Sequence, residues 1–152
     1  MLFPRHSGQK LVMEISRTTA YAIQATLQLG NGSPGVPVSC SDLAEMGALP
    51  KRFLLQILRR LVTQGILRST RGADGGYFLA RTPEQITLRD ILEAFEKPYD
   101  AEVPALSGLS LAARSRVSKT LQDMTQAASA ELAKLSLADL LRVGAYTADN
   151  VN

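Results

Sequence analysis

The chain is poor in residues that carry covalent and metal chemistry. Its 152 residues include one cysteine, Cys40, and one histidine, His6. A single cysteine permits no intrachain disulfide and makes a reducing, cytoplasmic setting the expectation. No nucleophile–base pair, metal-ligand cluster or cofactor loop is legible, and the histidine sits in the leader, so an enzyme is the least supported class. No run of 18 apolar residues exists, so no transmembrane helix and no membrane partner is predicted. The leader MLFPRHSGQKLV lacks the apolar centre of a signal peptide. Residues 1–12 are expected to be a disordered start, with Met13 an alternative first residue.

What is present is an ordinary globular balance, 45% apolar and 20% charged, which argues against global disorder. The length suits one domain with an appended element, or one domain that dimerises. The net charge of +3 is unevenly spread. Residues 1–82 hold ten Lys/Arg against four acids, a net of +6, and residues 83–152 hold seven against ten, a net of −3. The positive half is the one expected to meet nucleic acid.

Apolar positions Ile15, Ala22, Ile23, Ala25, Leu27 and Leu29 predict a first helix from Met13 to about Leu29. Asn31-Gly32-Ser33-Pro34-Gly35 ends it. Ser39-Cys40-Ser41-Asp42 reads as a capping box opening a short helix over 41–46. Gly47-Ala48-Leu49-Pro50 is a tight connection into a second helix over 50–64, with apolar residues at 54, 57, 58 and 61 and Gly65 as its stop. Two paired strands, 66–70 and 77–80, flank the glycine-rich turn Arg71-Gly72-Ala73-Asp74-Gly75-Gly76. A box at Thr87-Leu88-Arg89-Asp90 starts a helix ending near Glu96. Residues 97–108 form a Pro/Gly-broken linker, and 109–135 a long helix whose apolar stripe is Val117, Leu121, Met124, Ala128, Leu132 and Leu135. A stripe of that length needs a partner to cover it, and self-association is the expectation. A third box, Ser136-Leu137-Ala138-Asp139, opens a last short helix before the tail 143–152.

The pieces between 39 and 80 make a winged helix-turn-helix. The face of the second helix opposite its apolar stripe carries Lys51, Arg52, Gln56, Arg59, Arg60 and Thr63. Arg and Gln pair with the major-groove edges of guanine and adenine, and the remaining cations suit phosphates. Leu55, on or beside that face, is the candidate contact to a thymine methyl. Arg71 stands at the base of the wing, suited to a narrow minor groove. Gly72, Gly75 and Gly76 would turn the wing and let its backbone approach a partner closely. As a phosphate loop the segment fails, being neither G-x-G-x-x-G nor Walker-like. The fold class is therefore mainly α with a small β-hairpin wing and a long C-terminal dimerisation helix: residues 13–96 the DNA-binding domain, 109–142 the dimerisation helix and short C-terminal helix.

These residues resemble the IscR/NsrR/CymR-type bacterial regulators, the Rrf-two family of winged-helix transcription factors. The likeness runs through Met13-Glu14-Ile15-Ser16, Thr19 and Tyr21-Ala22, then Val38-Ser39, Asp42-Leu43-Ala44, Pro50, Phe53-Leu54, Gln56-Ile57-Leu58, Leu61 and Gly65. It continues through Ser69, Arg71-Gly72, Gly75-Gly76-Tyr77, Leu79-Ala80, Ile86-Thr87-Leu88, Asp90-Ile91, Glu93-Ala94 and the segment 135–140. The resemblance implies a homodimer whose long helices cross between subunits, bound to double-stranded DNA at a near-palindromic promoter site. By position it makes Arg52 and Gln56 base readers and sends Arg71 to the minor groove. Leu55 stands where some members carry Glu, which implies a different operator preference.

The linker departs from the family. Cluster-binding members place three cysteines there, and Lys97–Arg114 has none. No cofactor, and in particular no iron–sulfur cluster, is expected. Asp100 and Glu102 read as solvated acids rather than cation ligands. Tyr99, Val103, Leu106 and Leu109 read as dimer core ahead of an effector pocket. Cys40, at the first position of its helix, has a thiolate favoured by the helix dipole, but a small inert residue is the leading reading. The leading function is a dimeric DNA-binding repressor whose effector, protein or small molecule, is not named by the sequence. The runner-up is an interaction module of the same fold acting through a partner protein.

Overall fold

The computed structural model describes residues 14–96 and 108–144. His6 and the rest of the leader, the linker residues Tyr99, Asp100, Glu102, Val103 and Leu106, and the tail from 145 lie outside the described residues.

Helix α1 spans Arg17–Asn31, with Ser16 as N-cap accepting the Thr19 N–H. It begins four residues later than the apolar pattern predicts, and Ile15, placed in the buried face by that pattern, is 49% exposed. The reason is local: Ser16 supplies the cap that Met13 and Glu14 lack. Its buried face is Ala22, Ala25, Leu27 and Leu29, with Thr26 satisfied by donating to the Ala22 carbonyl.

Helix α2 spans Cys40–Gly47 and α3 spans Lys51–Thr63. The Ser39 hydroxyl caps α2 by accepting the Asp42 N–H and donating to the Asp42 carboxylate, where the expected box has that carboxylate accept the Ser39 N–H. Helix α3 buries Leu54, Ile57, Leu58 and Leu61, each worth about 2 kcal/mol of transfer free energy. It closes in a Schellman motif: Gly65, at φ +70, donates to Val62, and Ile66 donates to Leu61.

Strands β1 (Leu67–Thr70) and β2 (Gly76–Leu79) pair antiparallel, with Leu67 opposite Leu79 and Thr70 opposite Gly76. A bridge from Val38 to Tyr77 adds a third short rung. A 3₁₀ turn at Pro83–Gln85, capped by Thr82, is absent from the sequence reading. Helix α4 (Leu88–Phe95) opens on the predicted Thr87–Asp90 capping box.

Helix α5 spans Leu111–Lys134 and buries none of its residues. It packs against α4, and Ala128 and Leu132 in its C-terminal half and Leu135 at its C-cap are half-buried. Val117, Leu121 and Met124 are 44, 39 and 48% exposed. The stripe read as continuous thus divides, part half-buried and part exposed.

Helix α6 (Leu137–Arg142) opens on the predicted Ser136–Asp139 box, whose hydrogen bonds from Ser136 hold the Asp139 carboxyl below its ordinary pKa. Grouped by the sequence with the dimerisation helix, α6 instead enters the winged-helix core. Leu137 is 1% exposed in the same cluster as Ala25, Leu58 and Ile91. The Leu137 N–H donates to Ile86, and the Leu88 N–H to Leu135, across an antiparallel bridge. Gly30 in α1 leaves room for Leu137 and Leu141: a Cβ there would lie 3.2 and 3.0 Å from their methyl groups.

Candidate nucleic-acid interface

The turn between α2 and α3 is crowded around one glycine. A Cβ on Gly47 would lie 2.6 Å from Gln28 Nε2 and 2.8 Å from Gln24 Nε2. Gln24 donates instead to the Gly47 carbonyl at 2.9 Å, fastening the turn to α1. Ala48 then adopts a left-handed φ of 49°, and the Leu49 N–H returns to the Ala44 carbonyl. Pro50 follows as the N-cap of α3, its fixed φ compatible with helix entry.

This turn presents α3 with Lys51, Arg52, Gln56, Arg59 and Arg60 exposed, and Leu55 half-buried on the flank. Among the described residues, the ion pairs engage Arg81, Arg89, Lys119, Lys134 and Arg142, and none of the α3 cations. Thr63, expected on the outer face, donates its hydroxyl to the Arg59 carbonyl. Arg60 is exposed yet committed through one nitrogen: its Nε donates to the Ala94 carbonyl at 2.6 Å, tying α3 to the end of α4.

The wing presents Arg71 exposed at the base of its turn. Gly72 holds a φ of +108°, which a side chain rarely adopts, and its carbonyl accepts the Gly75 N–H. Gly75 and Gly76 are needed for another reason. A Cβ would lie 2.5 Å from the Thr70 carbonyl at Gly75 and 2.4 Å from the Val38 carbonyl at Gly76. Their missing side chains make room for the chain's own backbone, where the sequence reading reserved that room for a partner. Val38 and Tyr77 exchange both backbone hydrogen bonds at 2.9 Å across this spot, locking the wing to the entry of α2.

Beside α3, a groove of about 680 Å³ runs between the start of α1 and the end of α4. Its lining includes Arg17, Tyr21, Phe53, Gln56, Arg60 and Phe95. Phe53 and Arg17 escape the sequence reading. An aromatic residue on an amphipathic helix carries no mark of which way it points, and Arg17 lies far from α3 in sequence. At the groove's end, Glu96 accepts the Ser16 N–H at 3.0 Å and the Thr19 hydroxyl at 2.5 Å. Those bonds, Thr19 first, hold its carboxyl below the ordinary glutamate value. Such a contact joins residues 77 positions apart, beyond the reach of local pattern.

Cys40 does not behave as its place at a helix start suggests. Burial raises its thiol pKa, against a smaller opposing pull from Lys51, and its Sγ points at the Lys51 carbonyl 3.9 Å away. Desolvation here outweighs the attraction of the Lys51 charge for a thiolate. No group of three His, Cys, Asp or Glu that could hold a metal occurs among the described residues. Nor is any described helix long and apolar enough to cross a membrane.

Comparison with known proteins agrees with this geometry. The chain is 30% identical over 119 residues to the HTH-type transcriptional regulator CymR of Bacillus subtilis, spanning 74% of this chain and 86% of CymR. The solved B. subtilis CymR structure superposes with a TM-score of 0.68 at 27% identity, covering 87% of this chain and 98% of that one. The T. potens IscR structure gives 0.67 at 27% identity, covering 92 and 93%. Both confirm a winged helix. Residues 15–143 match the model of the Rrf2 family, described as an iron-dependent transcriptional regulator, and the chain belongs to that family of DNA-binding transcriptional regulators.

Proposed function

We propose that this regulator is a homodimeric repressor that reads a near-palindromic promoter site in the cytoplasm and works without a cysteine-ligated iron–sulfur cluster. The observation that carries this reading is the outer face of α3. Lys51, Arg52, Arg59 and Arg60 stand exposed around Gln56, with no acidic partner among the described residues. Arg52 supplies two donors for a guanine edge, Gln56 a donor and an acceptor for an adenine edge, and Lys51, Arg59 and the free nitrogens of Arg60 supply phosphate contacts. Arg71, carried on the wing, is aimed at the minor groove. A dimer seated on promoter DNA occupies ground the polymerase needs, which makes repression the default mode.

The dimer is supported by Val117, Leu121 and Met124, bare on the long helix. A twofold pairing of α5 covers them on both copies at once. Donor chemistry argues against the cluster. Such clusters are held by several thiolates, and the one thiol here has a raised pKa and faces a carbonyl. The signal therefore reaches this chain through a small molecule or a partner protein.

The test is selection of genomic fragments by the purified protein. The expected result is enrichment of an inverted repeat, with affinity falling on a log–log salt plot by about 0.9 per phosphate contact. If no fragment is held better than random DNA at moderate salt, the reading fails.

A further inference from the structure

We propose that Phe53 is a specificity-determining residue of the α3 face, its ring reading the 5-methyl group of a thymine. This rests on the DNA-reading role proposed above. Phe53 is 67% exposed. The other aromatic side chains among the described residues, Tyr21, Tyr77, Phe78 and Phe95, are all half-buried. The helix takes its core contacts from Leu54, Ile57, Leu58 and Leu61, so Phe53 contributes no buried side chain to the fold.

Its place supplies the occupant. Phe53 is the third residue of α3, in the N-terminal turn that meets base edges when such a helix lies in a major groove. It shares the groove with Gln56, one turn on, and with Arg17 and Arg60, whose charges suit the backbone on either side. Among the described residues lining that groove none is acidic, and the Glu96 carboxylate next to Phe95 is already held by Ser16 and Thr19. In a major groove the thymine 5-methyl is the apolar group presented by the four bases, and Phe is among the side chains that pack on it. Leu55, which the sequence offers for that contact, is half-buried and has less surface to give.

The test uses the full chain and an operator selected as above, with each thymine replaced singly by uracil, which removes only the methyl. The wild type is expected to lose about fourfold in affinity at one thymine of each half-site, the worth of one buried methyl. Phe53→Ala is expected to bind the thymine and uracil forms of that site equally, while Leu55→Ala keeps the discrimination. If Phe53→Ala retains the wild-type ratio at every position, or Leu55→Ala abolishes it instead, the proposal is overturned. Either of those results leaves sequence-specific binding intact; failure to enrich any sequence would remove the DNA-reading role as well.

Discussion

Gly72 and Gly76 reject a methyl group for different reasons, and the difference predicts different phenotypes. At Gly72 the backbone dihedral is the obstacle and nothing lies within 4 Å of a Cβ, so strain stays in the wing tip. At Gly76 the obstacle is the Val38 carbonyl at 2.4 Å, part of the rung that joins the wing to α2. Gly76→Ala is expected to cost about 1–3 kcal/mol, as overpacking against backbone does, and to weaken DNA binding as well. A urea titration checks the first and a binding isotherm the second. An unmoved midpoint would contradict the crowding argument. Single residues were also where the sequence was hardest to read. Arg60 looks like its neighbour Arg59 on a helical wheel, yet its Nε serves the Ala94 carbonyl. Phe53 looks like another apolar residue, yet it stands in solvent.

Elements were easier to read where a local rule fixes them. The boxes at Thr87 and Ser136 appear as predicted, because a four-residue segment suffices to make each. The four-residue apolar repeat of α3 and its Gly65 stop are likewise local. What local pattern does not contain is how elements are fastened together. Glu96, at the end of α4, caps the start of α1 through Thr19 and Ser16, and no spacing rule announces it. Because these bonds hold the folded pKa below the ordinary 4.5, the carboxylate's stabilisation is complete above that value. It disappears as pH falls through the lower folded value. Glu96→Gln is expected to flatten this part of the acid limb, leaving the variant less sensitive than the wild type below pH 4.5. Urea midpoints across a pH series measure it. Parallel curves for the two proteins would show that the cap carries no protonation-linked stability.

For the whole molecule, charge and shape divide the labour. The basic half of the sequence builds α3 and the wing, the elements proposed to meet DNA, and the acidic half contains the partly exposed helix α5. Val117, Leu121 and Met124 are exposed, and the proposed second copy would cover them at one stroke. Leu121→Glu is expected to convert dimer to monomer in sedimentation equilibrium at micromolar concentration. Helix content should be unchanged, since Leu121 is already 39% exposed in one copy. A variant that stays dimeric would place the seam elsewhere.

The return of α6 to the core has a consequence for synthesis. A ribosome that has delivered residues 1–96 has delivered every side chain assigned to DNA, but not Leu137, which completes their support. Withholding that one side chain forgoes about 2 kcal/mol of burial. Because domains generally fold as units during synthesis, the nascent winged helix stays unfinished until α6 emerges. By then the chain has also made α5. If the proposed function holds, operator competence and the means of pairing arrive together, and a chain ended before α6 would compete poorly for the operator.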